Sequence, residues 1–280
     1  MIKLIEVEVY NFCNRRCSFC PNSLVPSRQD QKNLKILDYN KFCRLVDQLK
    51  EINYRNTISF SRYNEPLAFY NITKKYVEYI RNNLNCLIVS NTNGDYLNND
   101  VIELFDELTI MDYAGKGEDW WKKKLSNLNL YFIDNKSNDE FLYFETTNKK
   151  SVLIFLNFKK NATIEDRGGV IKLSRLKYKN QSELRTRPCL EPEKFLGIDY
   201  TGDVMVCCNM NSEFHNNYSI GNIYNHNLSE ILNSEKRKHF IDIMSQENYL
   251  NFLDPCKNCQ KDPGRYTRDN PGIFYNGERK

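Results

Sequence analysis

Histidine is scarce in this chain: 3 in 280 residues, at His215, His226 and His239, none near the N-terminal cysteines. A zinc site that mixes cysteine and histidine is therefore not available locally at that end. Long apolar runs are absent as well. Nothing approaches the roughly 18 apolar residues of a membrane-spanning helix, so no membrane partner is expected. Neither sign of charge dominates: 40 Lys and Arg less 36 Asp and Glu leave +4, too little to argue for a nucleic-acid partner. Met1-Ile2-Lys3-Leu4-Ile5 leads into a strand pattern without the apolar core and cleavage site of a secretion signal. There is no internal repeat and no low-complexity linker. The length fits one large domain, or one domain with a small module, and 40% hydrophobic residues allow a sizeable core.

Cysteine, by contrast, is plentiful. Ten cysteines without a secretion signal point to a reducing, cytoplasmic setting and to metal instead of disulfides. Cys13, Cys17 and Cys20 are spaced C-x3-C-x2-C, with Phe19 just before the last. Thiolates are soft ligands that select zinc, copper(I) or iron–sulfur. Three cysteines cannot pair among themselves, and zinc would need a distant fourth ligand. Three thiolates can hold three irons of a cubane and leave the fourth open to a substrate or cofactor.

The hydrophobic pattern alternates strand and helix. Residues 4–10 read as a strand, 38–52 as a helix capped by Asp38, 57–61 as a strand and 72–84 as a helix. Strands over 86–90 and 108–113 flank a helix over 101–108. Trp120 to Lys124 reads as a surface helix, residues 135–139 as a polar loop, and 143–147 and 152–158 as further strands. This order predicts an α/β fold with a parallel sheet and crossover helices. In barrels of this kind chemistry gathers at the C-terminal ends of strands, where the cysteine loop sits.

On Cys13, Cys17, Phe19 and Cys20 the chain resembles the radical SAM superfamily. The resemblance implies a 4Fe–4S cluster on the three thiolates, with S-adenosylmethionine chelated to the unique iron. One electron then cleaves the sulfonium, and the 5′-deoxyadenosyl radical takes a hydrogen atom from substrate. The cofactors carry the hard chemistry while the protein binds and orients them. Superfamily members commonly place a Gly-Gly-Glu-Pro-like motif after the second strand. Here Glu65-Pro66-Leu67 match, while Tyr63 and Asn64 stand in place of the glycines. Glu65 and Asn64 are thus implied cofactor contacts, as are Phe19, Ser90 at the end of the third strand and Asn93 in the Thr-Asn-Gly turn that follows it. Asn-Gly also marks ordinary turns. Arg167, followed by Gly168 and Gly169 in the run from Glu165, is the implied catalytic cation; a plain turn is the alternative.

Five more cysteines follow: Cys189, Cys207, Cys208, Cys256 and Cys259. Residues 197–206 read as a hairpin turning at Thr201-Gly202-Asp203, and 228–244 as a helix. This layout resembles the auxiliary-cluster domain called SPASM, in its shorter one-cluster form, twitch. It implies a second 4Fe–4S cluster on Cys189, Cys207, Cys256 and Cys259, with Cys208 as the alternative to Cys207. On ligand chemistry alone zinc suits such a set equally well. Cys43 and Cys86 read as buried free thiols.

The expected architecture is a partial (β/α)6-type radical SAM barrel over residues 1–185, a small SPASM/twitch domain over 186–262 and a tail over 263–280. In layout the chain is similar to the one-cluster alcohol dehydrogenases of aminocyclitol pathways, including the 18-residue step from Cys189 to Cys207. That likeness implies oxidation of a secondary alcohol of a small sugar- or aminocyclitol-like molecule. The auxiliary cluster would accept an electron, and Arg167 or a nearby tyrosine would assist proton loss. A flavodoxin- or ferredoxin-type protein would supply the first electron. A peptide maturase, a radical epimerase using a lone thiol such as Cys86 or Cys208, and a non-catalytic electron carrier are the rivals.

Overall fold

The structure, a computed structural model, describes residues 1–156, 158, 166–172, 184–185, 187–246 and 253–259. Glu165 and the tail over 263–280 lie outside the described residues. One ten-stranded sheet organises the chain. Its centre is six parallel strands in the order β8 (Phe195–Ile198), β1 (Leu4–Val7), β2 (Thr57–Ser59), β3 (Leu87–Thr92), β4 (Glu107–Met111) and β7 (Ser151–Phe155). Antiparallel strands extend both sides: β6 (Phe141–Thr146) and β5 (Leu130–Phe132) beyond β7, β9 (Asp203–Met205) and β10 (Gly221–Asn222) beyond β8. All four residues of β1 and of β8 are buried. A parallel strand covered on both faces reads as a continuous apolar run, which is why these stretches are rich in Leu, Ile and Val.

The strand β8 pairs directly with β1, Leu4 opposite Phe195 and Val7 opposite Ile198. The sheet therefore runs unbroken across the expected domain boundary at residue 185, and the C-terminal hairpin sits against the first strand of the barrel.

Helices cover the sheet as the periodicity predicts, with adjusted ends. In α1 (Tyr39–Glu51) the Asp38 side chain accepts from the Lys41 N–H at 2.9 Å, and Phe42, Leu45, Val46 and Leu49 form the buried face. α2 (Tyr70–Asn83) starts two residues earlier than expected, the Phe69 N–H donating to the Tyr10 hydroxyl. α3 (Asn99–Leu104) stops four residues short of the expected end. There the chain turns extended at Phe105, and Asp106 pairs with Ile88, accepting from its N–H at 2.8 Å and donating to its carbonyl at 2.8 Å. Trp121 and Leu125 bury one face of α4 (Glu118–Leu125). Single turns α5 (Glu191–Lys194) and α6 (Ser212–His215) follow. The expected helix over 228–244 is two helices, α7 (Leu228–Leu232) and α8 (Glu235–Met244), because Ser234 leaves the helix and caps α8 by accepting from the Arg237 N–H. Near residues 130–136 the structure has β5 and a short 3-10 turn, elements too brief for periodicity to mark.

Candidate active site

Loops leaving β1, β2, β3 and β4 converge on one cavity of about 280 Å³, lined by Cys13, Cys17, Cys20, Glu65, Asn93 and Arg167 among others. The cysteine loop is fastened by its backbone: the Cys13 N–H donates to the Arg28 carbonyl at 2.9 Å and the Cys20 N–H to the Cys17 carbonyl at 2.9 Å. Phe19 lies 4.9 Å from Phe158 and 5.2 Å from Tyr113 between ring centres, an apolar wall against Cys17 and Cys20. Burial pushes the Cys13 thiol up to about 12 and the Cys17 thiol up to about 11, and raises Cys20 too. Free thiols placed so stay protonated at neutral pH; a bound cationic centre is what would hold them as thiolates. Among the described residues, one group of metal-capable side chains has its ligand atoms all within 4.8 Å of one another, Glu191, Cys207 and Cys208. Cys13, Cys17 and Cys20 offer three thiolates to the cavity, one short of the four ligands of a structural zinc site. A multinuclear cluster suits this donor set better.

Glu65 is buried, and its carboxylate staples two loops together. Oε1 accepts from the Thr92 hydroxyl at 2.6 Å and the Leu67 N–H at 3.2 Å, and Oε2 from the Asn93 N–H at 2.9 Å. Burial is the main cause of its pKa being raised to about 7, these hydrogen bonds opposing it. Asn93 in turn donates to Asn14 at 2.8 Å, and the Arg15 guanidinium grips Asp95 at 2.5 and 2.8 Å. The turn after β3 is thereby tied to the cysteine loop. Gly94 has φ +77°, and a Cβ there would stand 2.7 Å from the Trp121 ring, so the Asn-Gly pair answers a packing need as well as a turn. Asn64 lines the cavity, and its Oδ1 is buried with no hydrogen-bond partner. Ser90 does not line the cavity: its hydroxyl donates to the Phe60 carbonyl at 3.1 Å, and Asn91 and Thr92 face the space instead.

Three lining or bracing residues carried no signal of their own in the sequence. Arg62 reaches the cavity with its side chain 1% exposed, 3.7 Å from Glu6, and its Nε and Nη1 have no hydrogen-bond acceptor. Tyr63, in the place of a glycine, donates its hydroxyl to the Cys208 carbonyl at 2.8 Å. Arg28 pairs with Glu8 at 2.6 Å and donates to the Tyr63 carbonyl at 3.3 Å.

Arg167, Gly168 and Gly169 all have positive φ, at +53°, +67° and +86°. A Cβ on Gly168 would stand 2.8 Å from His215 Nε2, so only glycine lets the chain pass. The turn faces two ways: Arg167 lines the first cavity and Gly168 a second. Arg167 donates to Asn209 Oδ1 at 2.8 Å.

The second cavity is lined by Cys189, Cys207, Cys256 and Cys259, with Met210, Phe240 and Met244 giving it apolar walls. Burial raises the Cys256 thiol, and the neighbouring Cys189 and Cys259 raise it further. Arg185, buried, draws the set together by donating to the carbonyls of Pro188 at 2.6 Å and Cys259 at 3.1 Å. Four thiols lining one small pocket with apolar walls suit a fully ligated cluster. Cys208 lines the first cavity, not this one.

A family model of the radical SAM superfamily matches residues 7–115, and one of the SPASM iron–sulfur cluster-binding domain matches residues 189–260. The S-adenosyl-L-methionine-dependent 2-deoxy-scyllo-inosamine dehydrogenase of Niallia circulans is 25% identical over 265 residues, covering 92% of this chain and 93% of its own. The fold is similar to that of BtrN in complex with AdoMet and 2-DOIA, with a TM-score of 0.69 at 22% identity over 93% of this chain and 94% of that one. Selenomethionine BtrN in an open conformation gives 0.60 at 21% identity, covering 93% of each chain. Among the described residues no helix is long and apolar enough to cross a membrane.

Proposed function

The chain belongs to the radical SAM superfamily and carries a SPASM iron–sulfur domain, and from that premise we propose that it oxidises a secondary alcohol of an aminocyclitol- or sugar-like small molecule to a ketone. The observation that carries this reading is the second cavity, four cysteines around a closed apolar pocket one turn away from the first. A closed site of that kind exchanges electrons and binds no substrate. The dehydrogenase of Niallia circulans, named for an aminocyclitol, supports the substrate class.

In this reading Cys13, Cys17 and Cys20 hold the cluster that chelates S-adenosylmethionine, and Cys189, Cys207, Cys256 and Cys259 hold the auxiliary one. Residues 1–185 serve as the radical SAM barrel and 186–262 as the auxiliary domain. When bound, the two clusters and S-adenosylmethionine supply hydrogen-atom abstraction from the carbinol carbon and acceptance of the second electron, so the alcohol gives up one hydrogen atom, one proton and one electron. Glu65, Asn64 and Asn93 place S-adenosylmethionine, and Phe19 shields the cysteines from water. Arg167 and Arg62 offer hydrogen bonds to substrate oxygens. Neither can accept a proton, and burial pushes the Tyr63 and Tyr113 phenols well above their ordinary range, leaving both as donors. Glu6, lining the cavity beside Arg62, is the carboxylate placed to take the hydroxyl proton. A flavodoxin- or ferredoxin-type protein in the cytoplasm supplies the first electron at the cysteine loop, where Asn14, Arg16 and Ser18 are exposed.

One observation favours a second reading. Cys208 offers a thiol to the same cavity, which an epimerase would use to return hydrogen. The test is anaerobic turnover of an aminocyclitol panel with dithionite and S-adenosylmethionine, analysed by mass. A product two hydrogens lighter, formed with 5′-deoxyadenosine, supports oxidation. An isomer carrying solvent deuterium supports epimerisation and removes the dehydrogenase.

A further inference from the structure

Asn209 stands in the wall between the two cavities, 4% exposed. Its side-chain oxygen accepts from Arg167 Nη1 at 2.8 Å, and Arg167 lines the first cavity. Its nitrogens point the other way. The backbone N–H donates to Cys207 Sγ at 3.4 Å and Nδ2 donates to Cys259 Sγ at 3.8 Å. One residue thus touches the hairpin ligand and the clip ligand, which are 52 positions apart in the chain (259 − 207). The Arg167 contact fixes the amide orientation, because the oxygen must face the cation and the NH2 must then face sulfur.

We propose that Asn209 is a positioning residue that sets the reduction potential of the auxiliary cluster, with Arg167 holding it in the donating orientation. This rests on the reading that the second cavity holds such a cluster. N–H donors to cluster sulfur stabilise the more negative, reduced state and raise the potential. A cluster that accepts an electron from substrate needs that shift. The Arg167 cation pulls electron density toward Oδ1, which makes the NH2 a stronger donor. The sequence gives no hint of this role, since Asn209 lies two positions beyond Cys207 and outside every motif.

The test uses the full chain with Cys13, Cys17 and Cys20 replaced by alanine, anaerobically reconstituted, so that one cluster is observed. Redox titration followed by electron paramagnetic resonance compares Asn209, Asn209→Ala and Asn209→Asp. The expected result is unchanged iron content with the midpoint lowered in Asn209→Ala, and lowered further in Asn209→Asp, which adds a negative charge and cannot donate. An equal midpoint in all three, with iron retained, overturns the proposal. Absence of iron from the parent overturns the auxiliary-cluster reading instead. Should a substitution expel the cluster, the parent decides alone: electron–nuclear double resonance after exchange into deuterium oxide should show exchangeable protons coupled to the cluster, and a spectrum without them overturns the proposal.

Discussion

Arg28 and Glu8 form an ion pair with side chains 0% and 1% exposed, Nη1 to Oε1 at 2.6 Å. Arg28 belongs to the loop whose carbonyl holds Cys13, and Glu8 follows β1. The same guanidinium reaches Glu213 at 2.9 Å and stacks on Tyr200 at 5.3 Å. One residue therefore joins the cysteine loop, the first barrel strand and the C-terminal segment. Removing one partner of a buried pair leaves an uncompensated charge, typically costing about 3–5 kcal/mol. Arg28→Met should destabilise the protein by that order in anaerobic denaturant titration. Arg28→Met/Glu8→Leu should recover much of the loss.

Glu65 gives a pH signature. Its pKa is raised by burial to about 7 from an ordinary 4.5. A carboxyl whose folded pKa lies above its unfolded one favours folding below the ordinary value, and that contribution disappears as pH rises toward 7. Cluster-free protein should lose stability from this group between pH 4.5 and 7, and Glu65→Gln should flatten that slope. In the proposed role Glu65 must be ionised to accept from the amino group of S-adenosylmethionine. Affinity measured by equilibrium dialysis of the reconstituted protein should therefore rise toward pH 7 in wild type and stay level in Glu65→Gln.

The part of the site that could be read in the sequence is the part written locally. Cys13, Cys17 and Cys20 share one loop, and Glu65 follows a strand whose end the hydrophobic pattern marks. Arg28, Arg62 and Asn209 act through partners 185, 148 and 50 positions away, and no period or spacing encodes such contacts. Ser90 depends on a neighbouring strand in the same way. Its place near the end of β3 was legible, but whether its hydroxyl faces the cavity or the Phe60 carbonyl is decided by the neighbouring strand. The split between α7 and α8 was hidden because Leu228, Ile231, Phe240 and Met244 remain buried through the break.

Gly197 protects the position of Arg62. A Cβ at Gly197 would lie 1.6 Å from Arg62 Nη1, so the guanidinium would have to leave the cavity wall. Gly197→Ala should keep both clusters and still cleave S-adenosylmethionine. Substrate turnover should fall about tenfold or more, equivalent to roughly 1.4 kcal/mol of lost transition-state binding. Parallel assays of 5′-deoxyadenosine and ketone formation check this; equal losses in both would place Arg62 outside substrate recognition.

Cys207 and Cys208 are neighbours in sequence that line different cavities, Cys207 the second and Cys208 the first. Their ligand atoms nevertheless lie within 4.8 Å of each other and of Glu191, close enough that sequence order alone does not choose between them. Placement does. Cys207→Ala should drop iron from about eight to about four per chain, because the auxiliary site loses a thiolate. Cys208→Ala should keep about eight. Its effect on product then separates the two chemistries. In a dehydrogenase the second electron leaves through the auxiliary cluster, so Cys208→Ala still yields ketone. In an epimerase the thiol returns the hydrogen atom, so the same variant consumes S-adenosylmethionine and releases no isomer. Loss of iron in Cys208→Ala with retention in Cys207→Ala would reverse the ligand assignment and place the Cys207 thiol outside the cluster.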